Sequence, residues 1–246
     1  MPFLDHLEEL RWRIIKCLAA LIVCVGTAFA IVLQLPLIRA LEEPILPLLH
    51  GGKLVYTHPG DAFQITLHAS VILGLIFGLP IILYQIWAFM APALYRHEKR
   101  LAIGVLFGAT FLFVCGVALA YFVVLPLALP WLMGFGNDAL TPMITASEYF
   151  DFAFSMALSF GIAFELPIVI LALAALGIVT PMMLNRYRRH AIVGVVIIGA
   201  FLTPGDLVWT TLAMAIPLYL LYEISVVLSY VIYRRRQRTI ATAGEE

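Results

Sequence analysis

The chain has 246 residues, of which 63% are apolar and 12% charged, with a mean hydropathy of +1.02. A soluble domain of this length carries about twice that share of charge, so water is not its main solvent. Its 15 basic and 15 acidic residues cancel, and nothing in that balance calls for a nucleic-acid partner.

Apolar runs at about 14–34, 67–91, 101–125, 152–178, 191–203 and 207–232 set the expected fold, since a span needs about 20 residues. It is an all-α integral membrane protein, one domain of six transmembrane helices, kinked in places and with a short fifth and sixth helix. Ahead of the first run, Asp5-His-Leu-Glu8 has the form of an N-terminal capping box, with Asp in the place of Ser or Thr. Glu9, one residue on, points about 100° away around the helix and is free to face a partner; the alternative, for it and for Glu98, is a solvated charge in a local ion pair. The run lacks a small-residue cleavage site and is expected to stay as a helix. Cys17, Cys24 and Cys115 show no ligand spacing and read as unpaired packing residues.

The first loop, about 35–66, places Leu37, Leu41, Ile45 and Leu48 near helical spacing against Arg39, Glu42 and Glu43, which predicts a short interfacial helix. Spans two and four contain similar text around Pro80 and Pro167. Both run the same way through the membrane, so this is not the inverted repeat of secondary transporters. Between spans two and three lies Glu98, set among Arg96, Lys99 and Arg100. The second loop, about 126–150, has four turn-formers and no Lys or Arg, and reads as irregular and acidic. Glu165, beside Pro167, falls near the middle of span four. A carboxylate there is costly and marks a pathway, a proton site or a partner contact; the alternative is a protonated Glu bonded to backbone freed by the proline.

The stretch 191–232 fits one long kinked helix or two helices. Thr203-Pro-Gly-Asp206 is a turn signal in its middle. With two helices, 13 of the 15 basic residues fall on one side, and only Arg39 and Lys53 on the other. The positive-inside rule then puts both termini in the cytoplasm, with 233–246 a basic, then flexible, tail. Asp206 is placed to cap the last helix, while Glu223 is explained by snorkelling or a bond between helices.

Enzyme motifs fail on specifics. His97-Glu-Lys-Arg-Leu101 has Leu where a zinc-protease helix needs its second His, and no nucleophile elbow, phosphate loop or dinucleotide fingerprint is present. No metal or cofactor is expected. A proton-coupled small-solute transporter would use Glu165 as its proton carrier, but the spans hold few polar residues and the inverted repeat is missing.

The motifs His6-Leu-Glu-Glu-Leu-Arg11, Pro80-Ile-Ile-Leu-Tyr-Gln-Ile-Trp-Ala-Phe-Met-Ala-Pro-Ala-Leu-Tyr-Arg-His-Glu-Lys-Arg100, Phe160-Gly-Ile-Ala-Phe-Glu-Leu-Pro167 and Leu202-Thr-Pro-Gly-Asp206 resemble the TatC family. Its members are the polytopic core subunits of twin-arginine protein translocases. The likeness covers about residues 5–230 in the family's order. It implies a receptor in the bacterial cytoplasmic (inner) membrane that binds twin-arginine signal peptides of folded cargo. It also implies assembly with TatA- and TatB-type single-span subunits, self-association, and export driven by the proton-motive force. Glu9 and Glu98 fall at the positions the family uses for the arginine pair, with Arg11 and Phe89 in the same patch. Glu165 matches the family's buried acidic position, associated with partner helices; Asp206 matches its outer acidic position, and Pro44 its first-loop proline. Gly205 and Thr210 depart from a frequent proline and a frequent glutamine, so the role of that outer polar position is not carried over.

Overall fold

The computed structural model describes residues 2–49, 53–90, 101–134, 143–202 and 209–243. Among these, every regular element is helical, and the single β pairing is a bridge between Val55 and Thr145. Lipid leaves little choice: backbone N–H and C=O groups find no water there and must bond within their own helix.

Helix α1 runs Pro2–Gln34. It begins before Asp5, so Asp5 and Glu8 lie inside the helix and form no capping box; Pro2 takes the first position, where a missing N–H costs nothing. Next come α2 (Leu37–Glu42) and a 3₁₀ turn (Leu46–Leu49). This pair replaces the continuous interfacial helix, and the Ile45 between them is fully buried. Then α3 (Asp61–Met90) packs antiparallel along α1. The register is visible at three levels: Arg13 reaches Gln85, Val25 and Cys24 meet Gly74 and Gly78, and the Phe29 and Phe63 rings lie 6.2 Å apart edge to face. Gly74 and Gly78 form a small-xxx-small pair, the device by which membrane helices approach closely. A Cβ at Gly74 would lie 2.6 Å from Val25 Cα.

Helix α4 (Leu101–Leu119), a π-helical segment (Ala120–Val124) and α5 (Leu125–Gly134) form one rod. The rod overruns the expected end of span three by nine residues, since apolar text continues through 134. The π segment closes with Leu125 N–H on Ala120 O, just before Pro126, which has no N–H to donate. Such one-residue bulges let a helix absorb a local mismatch. The irregular loop is correspondingly shorter than 126–150.

Helices α6 (Ala146–Phe164) and α7 (Leu166–Ala175) are separated by Glu165 alone. Thr145 caps α6 by accepting the Glu148 N–H. Gly177, at φ 78°, closes α7, with Ile178 N–H bonded to Leu173 O; a left-handed residue after the last turn is the usual helix stop. Finally α8 (Pro181–Leu202) and α9 (Trp209–Ala243) pack against each other. Helix α9 continues through 233–243, into the stretch read from the sequence as a basic, then flexible, tail.

Among the described residues, five stretches are long and apolar enough to cross a membrane: Leu7–Gln34, Asp61–Phe89, Phe107–Gly134, Ala146–Ala175 and Met214–Val231. This is a multi-pass membrane protein. Helix α8 does not qualify as a sixth, because Arg186, Arg188 and Arg189 interrupt it and leave only 191–202 as an unbroken apolar run. The core gathers where α4–α6 and α9 meet, around Phe113, Phe150, Phe160, Val124, Leu125, Met214 and Leu218.

Candidate functional site

The bundle has two unlike ends. One, here the basic end, carries the start of α1, the end of α3, the start of α8 and the end of α9. At that end α1 and α3 are tied by Arg13. Its Nε donates to Glu9 Oε1 at 3.0 Å and its second guanidinium nitrogen to the same oxygen, while the third donates to Gln85 Oε1 at 3.4 Å. Four-residue spacing stacks Glu9 and Arg13 on one helix face. Phe89 lies one turn beyond Gln85 on α3 and is half-buried; Arg11 is exposed. The structure thus brings Glu9 and the Gln85–Phe89 face of α3 to one place. Glu9 is engaged by Arg13 within its own helix, where the sequence had left it open to a partner. Glu98 lies outside the described residues, as does Asp206.

The second polar feature is Glu165. Its backbone is fully used: its N–H bonds to Ile162 O, and its C=O accepts from Ile168 and Val169. Both carboxylate oxygens are buried and, among the described residues, have no hydrogen-bond partner. The backbone freed by Pro167 therefore does not satisfy the side chain. A buried carboxyl group left this way costs several kcal/mol, on the order of 1–3 even when neutral.

At the opposite, loop end, Tyr149 OH donates to Leu41 O at 2.7 Å and Tyr121 OH to Ala40 O. Ala146 N–H bonds to Val55 O at 2.8 Å. These bonds clamp the 37–55 segment onto α4–α6, with Ile45 as its buried plug; Pro44, half-buried, sets up the turn before it. No group of three or more His, Cys, Asp or Glu occurs among the described residues.

A family model described as Sec-independent protein translocase protein (TatC) matches residues 5–217. The TatC of Aquifex aeolicus (strain VF5) is 41% identical over 239 residues, 96% of this chain and 98% of that protein. The TatC of Escherichia coli (strain K12) is 36% identical over 93% of this chain and 88% of its own length. A crystal structure described as the twin arginine translocase receptor TatC superposes with a TM-score of 0.75, at 40% identity, covering 93% of this chain and 99% of that one. The chain belongs to the TatC family. It is a membrane component of a Sec-independent protein translocase and not an enzyme.

For a TatC protein, the polar groups that sequence reasoning missed are informative. The Glu9–Arg13 pair was legible from its i,i+4 spacing. Gln85 was not, because nothing in a single chain says which polar residue of α3 comes level with α1. The same holds for Arg188, which binds Glu223 at 2.8 Å while Tyr219 OH donates to that carboxylate at 2.7 Å. Glu223 thus takes the helix–helix option anticipated for it, with a partner the sequence did not name.

Proposed function

We propose that this chain is the receptor subunit of a twin-arginine translocase and binds the paired arginines of signal peptides at its basic end. Glu9 and Glu98 are the acceptors, Arg11 orients the peptide backbone or its acidic groups, and Phe89 packs against its apolar side chains. What supports the reading is that the Glu9 carboxylate already holds a guanidinium, two nitrogens of Arg13 donating together to its Oε1; offering two N–H groups from one planar head is what distinguishes Arg from Lys. An incoming arginine exchanges with Arg13, which retains Gln85 as an acceptor. The same reading has six spans, α8 being the short fifth, and both termini in the cytoplasm of a bacterial inner membrane. Single-span subunits of TatA and TatB type and further copies of the chain complete the complex. Asp206 and Pro44 belong to its outer surface.

A twin-arginine peptide carrying a photo-cross-linker tests the recognition step. Glu9→Ala and Glu98→Ala should each lower capture about tenfold or more, a charged hydrogen bond being worth about 1.5–3 kcal/mol. Undiminished capture in both sinks the reading. Within it, Glu165 is a docking point for a polar side chain of a partner's membrane helix, since its unsatisfied oxygens are costly to leave so. Glu165→Leu should keep or raise thermal stability in detergent while lowering the yield of partner complex; a full yield removes this role.

A further inference from the structure

Helix α8 changes character half-way. Residues 181–190 hold Arg186, Arg188, Arg189 and His190 and no acidic side chain. Residues 191–202 are apolar and cover about 18 Å at 1.5 Å per residue, well short of about 30 Å of hydrocarbon. With the apolar half in the bilayer, the basic half lies at headgroup level, where cationic side chains extend and the bilayer thins to meet them.

The basic side chains divide into two sets. Arg188 faces α9, bonded to Glu223. Together with the bonds from Asn185 to Tyr230 OH and from Tyr222 OH to Leu184 O, it fixes the rotation of α8 about its own axis. At about 100° per residue, Arg186 and His190 then lie about 160° from Arg188, on the face turned away from α9, with Arg189 on its flank. All three are exposed, and no acidic group among the described residues pairs with them. The same outward stripe continues through Val193 and Ile197, exposed by 58% and 53%. Tyr187, in edge contact with the His190 ring at 5.5 Å, sits where interfacial aromatics concentrate.

A stripe that is cationic for its first turns and aliphatic for the next matches the layout of a phospholipid. We propose that the outward face of α8 binds an anionic phospholipid, its phosphate held by Arg186 and Arg189 beside His190 and an acyl chain lying along Val193 and Ile197. Guanidinium forks match phosphate geometry, and basic clusters beside membrane helices recruit anionic headgroups. A soluble anion would need only the charges; the exposed aliphatic continuation selects a lipid. This site does not depend on Glu9 or Glu98, so it stands apart from signal-peptide recognition.

The test titrates the full chain in detergent with dioleoylphosphatidylglycerol, dioleoylphosphatidylcholine and inorganic phosphate, counting bound lipid by native mass spectrometry. The phosphatidylglycerol should be retained, the phosphatidylcholine lost, and inorganic phosphate should not displace the former. The double variant Arg186→Gln, Arg189→Gln should bind phosphatidylglycerol about thirtyfold more weakly, each cation near an anionic surface being worth about fivefold. Arg186→Lys with Arg189→Lys should recover most of it, and Arg39→Gln at the loop end should change nothing. Equal retention of both lipids, displacement by inorganic phosphate, or undiminished binding by the Gln variant overturns the proposal.

Discussion

The loop end and the basic end of the bundle are held by different physics. At the loop end, tyrosine hydroxyls donate to backbone carbonyls of the 37–55 segment, and Ile45 and Phe150 are fully buried. At the basic end the ties run mainly between charged or amide side chains, Arg13 to Glu9 and Gln85, and Arg188 to Glu223, all at least partly open to solvent, alongside a tie of the loop-end kind from Tyr222 OH to Leu184 O. A backbone carbonyl under a buried plug has no competitor, whereas a half-exposed carboxylate can trade one guanidinium for another at little cost. The first arrangement suits a fixed cap, and the second suits a surface where a ligand must displace something.

Three substitutions sharpen that contrast. The largest effect belongs to the middle of the bundle, where both ends depend on helix contact. A Cβ at Gly116 would lie 2.6 Å from Phe160 O, so Gly116→Leu should cost about 3 kcal/mol or more, seen as loss of a monodisperse protein and of the thermal transition. Next comes Tyr149→Phe, which leaves Leu41 O without its donor at the loop end. It should cost about 1–1.5 kcal/mol and raise protease sensitivity between 37 and 55 without touching the basic end. Smallest is Arg188→Ala. Its side chain is 45% exposed, solvent screening applies, and a loss of about 0.5 kcal/mol in a thermal scan is expected. If Arg188→Ala proved costlier than Tyr149→Phe, the two ends would not differ as described.

Much of the molecule was legible from text. Apolar runs located each long helix but not its polar extensions: α1 begins twelve residues before its run, α8 ten before, α5 carries the third nine beyond and α9 ends eleven beyond; the grouping of motifs gave the family. The proposed site was legible in part: Glu9 and Glu98 stand out as carboxylates in a basic setting, each open to a local ion pair, but Arg13 was not named as the partner of Glu9. The capping box failed for a local reason, since the helix starts at Pro2 and a sequence motif cannot cap the inside of a helix.

By itself, the sequence determined where helices form, because lipid forbids any backbone that does not bond internally, and that constraint reads out residue by residue as hydropathy. The tertiary structure decided what each polar group does. Whether Glu165 finds a partner, which amide of α3 meets Arg13, and which arginine of α8 turns toward Glu223 all depend on the rotation and register of neighbouring helices. Those are set by close contacts such as Val25 on Gly74 and Phe160 on Gly116, and pairwise packing between distant segments leaves no periodic trace in a single chain.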